Sequence, residues 1–310
     1  MTRLTASRAF GKEVPYEVPT LVTPDPLPFD LQLRSLPDLR MELATAGSPG
    51  APVVILLHGF PDVWSGWHYQ IPELAAAGFR VLAPNQRGYG RTDKPKGVAA
   101  YDIDRLAADV IALADSENAS TFHLVGHDWG GLVAWWVAAL FPERVRRLVI
   151  LNAPHPGAFQ GYLLRHPSQL CRSWYIGFFQ CPWLPEAVLS AQNYALLFRA
   201  VRSTSQPGVF DESDRRQFVS AWSQPGALTA MLNYYRAVVR RSPTSLKRSV
   251  PVPTRILFGR QDPAEEPGLA EVSLRFCSQG SIRWIDEGAH WIQREAAETV
   301  TAEIIQTCSS

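Results

Sequence analysis

The sequence predicts an α/β fold: a mostly parallel central sheet with helices on both faces. Short apolar runs without polar alternation recur at 53–57, 79–83, 122–126, 148–151, 255–258 and 282–285, as expected of strands covered on both sides. Helical patterns lie over 101–115, 130–141 and 296–307, and the resulting βαβα alternation points to such a sheet. The 310 residues, 46% of them hydrophobic, supply enough apolar surface for a large core.

The elements follow in chain order. Residues 1–28 are polar and carry Pro15, Pro19, Pro24, Pro26 and Pro28, so an N-terminal arm without regular structure is expected there. Residues 29–36 and 39–46 read as two strands joined at Pro37-Asp38. The core is expected over 29–153 and 251–310. Between Pro154 and Val250 the alternation stops and the chain becomes helical, rich in proline and dense in aromatic residues, until Pro251-Val252-Pro253 leads back to a strand. Residues 154–250 are therefore expected to be an inserted helical cap, some of whose rings line a pocket.

Thirty Lys and Arg against 29 Asp and Glu leave a formal net charge of +1, which gives no electrostatic reason to expect a nucleic-acid partner. The basic run Arg236, Arg240, Arg241, Lys247 and Arg248 is expected to be a solvated helix end or linker. No apolar stretch is long enough to span a bilayer, and the N-terminus lacks the pattern of a secretory leader. The expectation is a cytoplasmic protein without membrane insertion. Cys171, Cys181, Cys277 and Cys308 show no metal-ligand spacing. No metal site and no cofactor are expected, and the oligomeric state is left open.

Chemistry concentrates at Gly126-His127-Asp128-Trp129-Gly130-Gly131. This segment follows a buried strand and precedes a helix, the setting of a nucleophile elbow, and its glycines relieve the crowding such a turn imposes. The central residue is usually Ser; here it is Asp128. A carboxylate at a helix N-terminus attacks a saturated carbon and gives an ester that water can cleave. The competing reading makes Asp128 an ordinary helix N-cap. Sites built on such an elbow place an acid and then a histidine after late strands. Asp262, in Phe258-Gly259-Arg260-Gln261-Asp262-Pro263, and His290, in Glu287-Gly288-Ala289-His290-Trp291, fit those positions. His290 would deprotonate water while Asp262 fixes its tautomer. His58-Gly59-Phe60-Pro61 ends an earlier strand and would bring the Phe60 N–H beside that of Trp129 as an oxyanion hole. A cis Phe60-Pro61 bond is one way to fix that turn, and His58 and His127 read as structural hydrogen-bonders.

These motifs, together with Gln86-Arg87-Gly88-Tyr89-Gly90, resemble the α/β-hydrolase-fold epoxide hydrolases of the soluble type, from Phe29 to the C-terminus. The resemblance implies that two cap tyrosines hold the oxirane oxygen. Tyr175, in Trp174-Tyr175-Ile176-Gly177-Phe178-Phe179-Gln180, and Tyr235, in Leu232-Asn233-Tyr234-Tyr235-Arg236, match the segments that carry them, with Tyr234 as the neighbouring alternative. The aromatic cap suggests an apolar or aryl epoxide, hydrolysed with water, and Trp129, Phe60, Trp174, Phe179, Trp183 and Trp291 are expected in the pocket wall. Dehalogenases are similar in the elbow, but Phe60, Trp129 and Leu132 depart from residues their best-defined members carry. A non-catalytic ligand-binding member of the fold is the other alternative. Asn85 departs from the Asp that the family often carries before the Gln-Arg-Gly run.

Overall fold

The computed structural model describes residues 29–241 and 246–310, and the arm expected over residues 1–28 lies outside them. The strands are β1 (Asp30–Ser35), β2 (Arg40–Ala46), β3 (Val53–Leu57), β4 (Arg80–Pro84), β5 (Phe122–His127), β6 (Val145–Leu151), β7 (Thr254–Gly259) and β8 (Gly280–Ile285). They form one sheet in the order β1-β2-β4-β3-β5-β6-β7-β8. Strand β2 runs antiparallel to β1 and β4, and the remaining neighbours are parallel.

The helices are α1 (Gln70–Ala76), α2 (Ile103–Ser116), α3 (Trp129–Leu140), α4 (Pro156–Leu163), α5 (Pro167–Arg172), α6 (Trp174–Phe178), α7 (Leu184–Ser203), α8 (Glu212–Trp222), α9 (Ala227–Val238), α10 (Gly268–Leu274), α11 (Ile292–Glu295) and α12 (Ala297–Ser309). Successive strand side chains point to opposite faces, and β3 divides accordingly. Val53, Ile55 and Leu57 join the core built with α2, α3 and α10, while Val54 and Leu56 join the one built with α1, α11 and α12. Both faces of β3 and β5 are buried, which is why these strands read as unbroken apolar runs.

The chain leaves β3 for β4 on one side and returns to β5 on the other. Loops at the carboxyl ends of β3 and β5 therefore diverge and open a crevice, the usual binding place of an open α/β sheet. Helices α4 to α9 are inserted between β6 and β7; α7 to α9 share the apolar cluster of α2 and α3, and α6 packs against it. Polar ties fasten the insertion to the core: Tyr234 Oη donates to Arg87 O at 2.7 Å, and Trp222 Nε1 to Pro61 O at 2.6 Å.

The basic run departs from expectation. Arg236 is buried and donates to Phe179 O and Cys181 O, both at 2.9 Å, and to Glu186 at 2.7 and 3.0 Å. Arg241 donates to Asp102 at 2.6 Å and Asp104 at 2.9 Å. The sequence showed a cluster of like charges, but their partners come from distant segments and turn two of the arginines into ties. No helix among the described residues is long and apolar enough to cross a membrane.

Candidate active site

Asp128 sits between β5 and α3 with φ 49° and ψ −118°, a backbone conformation that a non-glycine residue adopts only under constraint. Its glycine frame explains how the turn is built. A Cβ at Gly126 would stand 2.3 Å from Gly130 O, and one at Gly130 would stand 2.2 Å from Leu57 O. The Asp128 side chain makes no capping bond to α3, so the N-cap reading is not what the turn presents. Its Oδ1 accepts the Phe60 N–H at 2.6 Å, and the adjacent Trp129 N–H favours the charged carboxylate. The Phe60-Pro61 peptide is cis. Burial raises the Asp128 pKa, while His290 and the two N–H donors oppose that shift.

His290 and Asp262 arrive from the loops after β8 and β7. His290 Nδ1 donates to Asp262 Oδ2 at 2.8 Å, and its Nε2 lies 3.9 Å from Asp128 Oδ2. Burial disfavours the imidazolium, but Asp262, reinforced by Asp128, outweighs it and raises the histidine to about 10. His127 and His58 are framework. His127 Nε2 donates to His290 O at 2.8 Å, and Gln293 Nε2 stands 3.2 Å from His127 Nδ1. His58 Nε2 accepts from Gln86 N at 3.0 Å, and burial lowers its pKa to about 4.

A cavity of about 300 Å³ opens over the carboxylate. Asp128, Trp129, Tyr175, Tyr235 and Glu265 border it, with Leu132, Phe159, Leu163, Ile176, Val238 and Leu246 supplying much of an apolar wall. The two phenol rings are 5.9 Å apart, and the Trp129 and Tyr235 rings meet edge-on at 4.9 Å. Tyr234 faces away from the cavity, bonded to Arg87 and packed against Tyr89 and Tyr101.

Of the aromatic residues expected in the wall, Trp129 borders this cavity. Trp174 and Trp183 are corrections: they are 67% and 78% exposed. Successive residues on a helix differ by about 100° in direction, so turning Tyr175 inward sends Trp174 outward. Phe60 and Phe179 stand one layer back, both packed against Tyr235 at 5.2 and 5.0 Å. Trp291 is buried behind His290 with its Nε1 bonded to Thr204 Oγ1. Aromatic density revealed a packed layer but not which members reach the void.

Comparison with known proteins supplies the kinship. Residues 52–297 match the α/β hydrolase fold family. Epoxide hydrolase 4 of Homo sapiens is 37% identical over 269 residues, covering 84% of this chain and 74% of the relative. This chain belongs to the α/β-hydrolase-fold epoxide hydrolases. YfhM of Bacillus subtilis (strain 168), an AB hydrolase superfamily protein, is 40% identical over 268 residues, 86% of this chain and 94% of the relative. The crystal structure of a Bacillus megaterium epoxide hydrolase mutant superposes with a TM-score of 0.82 at 26% identity, covering 90% of this chain and all of that one. An epoxide hydrolase from metagenomes of hot environments gives 0.79 at 33% identity, with coverage of 90% and 98%.

Two residues that support this site, Asn152 and Glu265, escaped sequence reasoning, and Asn85, noted there as a departure, is framework. Asn152 Nδ2 donates to Asp262 Oδ2 at 2.6 Å and to Ala289 O at 3.1 Å, linking the acid to the histidine loop. Its place directly after β6 was the available signal. Asn85 accepts the Trp64 N–H at 2.7 Å and donates to Glu42 Oε2 at 2.6 Å. The amide suits this place because a carboxylate there would oppose Glu42. Glu265 carried no signal beyond lying three residues after Asp262. Among the described residues no cluster of three or more His, Cys, Asp or Glu is placed to hold a metal ion.

Proposed function

We propose that this protein hydrolyses an epoxide to a vicinal diol through a covalent alkyl ester on Asp128, with His290 and Asp262 serving the hydrolysis step. One juxtaposition carries the reading: a carboxylate and two phenols, Tyr175 and Tyr235, border the same cavity. Burial, followed for Tyr175 by the Asp128 charge and for Tyr235 by Tyr175, raises both phenols. Each therefore keeps its proton at neutral pH and can donate to an oxygen.

Oδ1 of Asp128 is engaged by the Phe60 N–H, which leaves Oδ2 to attack. As Oδ2 bonds to one oxirane carbon, that carbon's bond to oxygen breaks, and the released oxygen takes a proton from a tyrosine. Esterification removes the Asp128 charge, one of those that favour the His290 imidazolium. The imidazolium proton then passes to the tyrosinate, leaving a neutral base. His290 takes a proton from water as its oxygen adds to the ester carbonyl, and the oxyanion on Oδ1 faces the N–H groups of Phe60 and Trp129. Collapse breaks the bond to the alkyl oxygen, which leaves with the proton from His290. The carboxylic acid returns its remaining proton to His290, restoring the starting charges.

The mostly apolar wall favours an apolar or aryl epoxide small enough for the cavity. The test is diol formation from aryl and aliphatic epoxides by the wild type and Asp128→Ala, followed by chromatography. Diol from the wild type alone supports the reading. Halide release from chloroalkanes without diol from any epoxide would overturn it in favour of dehalogenation.

A further inference from the structure

The mechanism above leaves one buried acid in the cavity without a task. Glu265 borders the cavity beside Asp128, Tyr175 and Tyr235 and is only 9% exposed. Among the described residues its Oε2 has no hydrogen-bond partner. The backbone around it is held from two sides. Asp262 Oδ1 accepts the N–H groups of Ala264 at 2.7 Å and Glu265 at 3.0 Å. From the inserted helices, Gln169 donates to Ala264 O and accepts from Glu266 N, both at 2.8 Å. The position of Glu265 beside the cavity is thus set by the same turn that holds Asp262.

An orphan carboxyl in an apolar wall costs stability unless something in the cavity satisfies it. Burial, and then the neighbouring Asp262 with Asp128 behind it, raises the Glu265 pKa well above the usual carboxylate range, while His290 opposes the shift. Asp128 and Asp262 already outnumber the single imidazolium, so a third negative charge is unfavourable here. A carboxyl kept neutral in this way presents an O–H and donates a hydrogen bond, which a carboxylate cannot do. Of the other polar groups in the wall, Gln160 is only partly buried, Ser173 Oγ is engaged by Gln169 at 3.1 Å, and the phenols are committed to the oxirane oxygen in the mechanism above.

We propose that Glu265 is a specificity-determining residue whose carboxyl donates a hydrogen bond to an ether or hydroxyl oxygen on the substrate, close to the oxirane ring. Closeness to the ring follows from its neighbours, since it borders the cavity together with Asp128, Tyr175 and Tyr235. The substrate class is then an epoxide with an apolar or aryl body and an oxygen beside the reacting carbons. The inference rests on the epoxide-opening reading for its kinetic test, but its binding test does not need turnover.

The probes are 1,2-epoxy-3-phenoxypropane and 4-phenyl-1,2-epoxybutane, which differ by an oxygen in place of a methylene. The wild type should favour the ether in kcat/KM. Glu265→Leu should lose about tenfold or more on the ether, the usual effect of leaving a buried acceptor unpaired, and hold or gain on the carbon analogue. Glu265→Gln keeps a donor and should retain the preference. Glu265→Met serves if the leucine variant does not fold. An unchanged ether-to-carbon ratio in the leucine or methionine variant, including an equal loss on both probes, overturns the proposal and assigns Glu265 to the hydrolysis step or to structure. If the wild type turns over neither epoxide, calorimetric Kd values of the two corresponding diols give the same ratio without catalysis. A preference for the ether diol that Glu265→Leu abolishes supports the inference even though the epoxide reading has failed, and a ratio the variant leaves unchanged overturns it.

Discussion

His290 Nε2 stands 3.9 Å from Asp128 Oδ2, beyond hydrogen-bond reach, while the far side of the ring is fixed to Asp262. In the mechanism we propose, the carboxylate therefore attacks without first breaking a bond to the histidine, which is kept for the following step. Replacing His290 by Gln should leave esterification intact and block hydrolysis. The expected result is a lasting mass increase equal to one epoxide on the peptide containing Asp128, with turnover reduced about 10²–10⁴-fold. Absence of the adduct alongside lost turnover would remove His290 from the second step.

The two phenols should share one task. Tyr175→Phe and Tyr235→Phe are each expected to lower kcat by roughly 10²-fold, the effect of deleting one donor to a developing oxyanion. The double variant should fall further, with little change in epoxide affinity. Stopped-flow measurement of intrinsic tryptophan fluorescence, to which Trp129 beside the carboxylate contributes, would follow the first step. A single phenylalanine variant as fast as the wild type would exclude that phenol.

The His290–Asp262 pair also makes a pH prediction for stability. An unperturbed histidine titrates near 6.5, whereas folding raises His290 to about 10. A raised histidine contributes stability that is fully present below the unfolded value and is lost as pH rises through the folded one. Thermal unfolding of the wild type and His290→Gln should therefore show a wild-type advantage that shrinks between about 6.5 and about 10. A difference that stays constant over that interval would contradict a charged pair.

Asn85 offers a test outside the site. Asn85→Asp places a second carboxyl 2.6 Å from Glu42 Oε2, and two carboxylates at that separation cannot both ionise freely. A loss on the order of 1–3 kcal/mol is expected from denaturant titration, and it should grow as pH rises because ionisation is what the pair resists. Adding Glu42→Gln should recover much of the loss. A neutral single substitution would show that the amide has no structural task.

Sheet strands and the order of the candidate site residues were legible from the chain because they depend on local patterns. Apolar runs mark strands buried on both faces, and β3 (Val53–Leu57) occupies the residues its apolar run marked. Gly126 and Gly130 announce a turn too tight for a Cβ, so Asp128 could be named before any coordinates. His290 and Asp262 followed from their order after that turn, and Tyr175 and Tyr235 from family resemblance. These residue positions are what the sequence by itself determined.

Tertiary structure alone decided which groups meet. Trp174 and Tyr175 are neighbours in sequence, yet one points to solvent and the other borders the cavity, because the orientation of a short helix is set by what it packs against. Arg236 looked like part of a solvated charge run until α7 supplied Glu186 as its partner. Asn152 and Glu265 reach the site from the ends of different strands. Their burial and their partners depend on residues more than 100 positions away for Asn152 and about 95 for the Glu265 turn, and no local pattern records contacts across such separations.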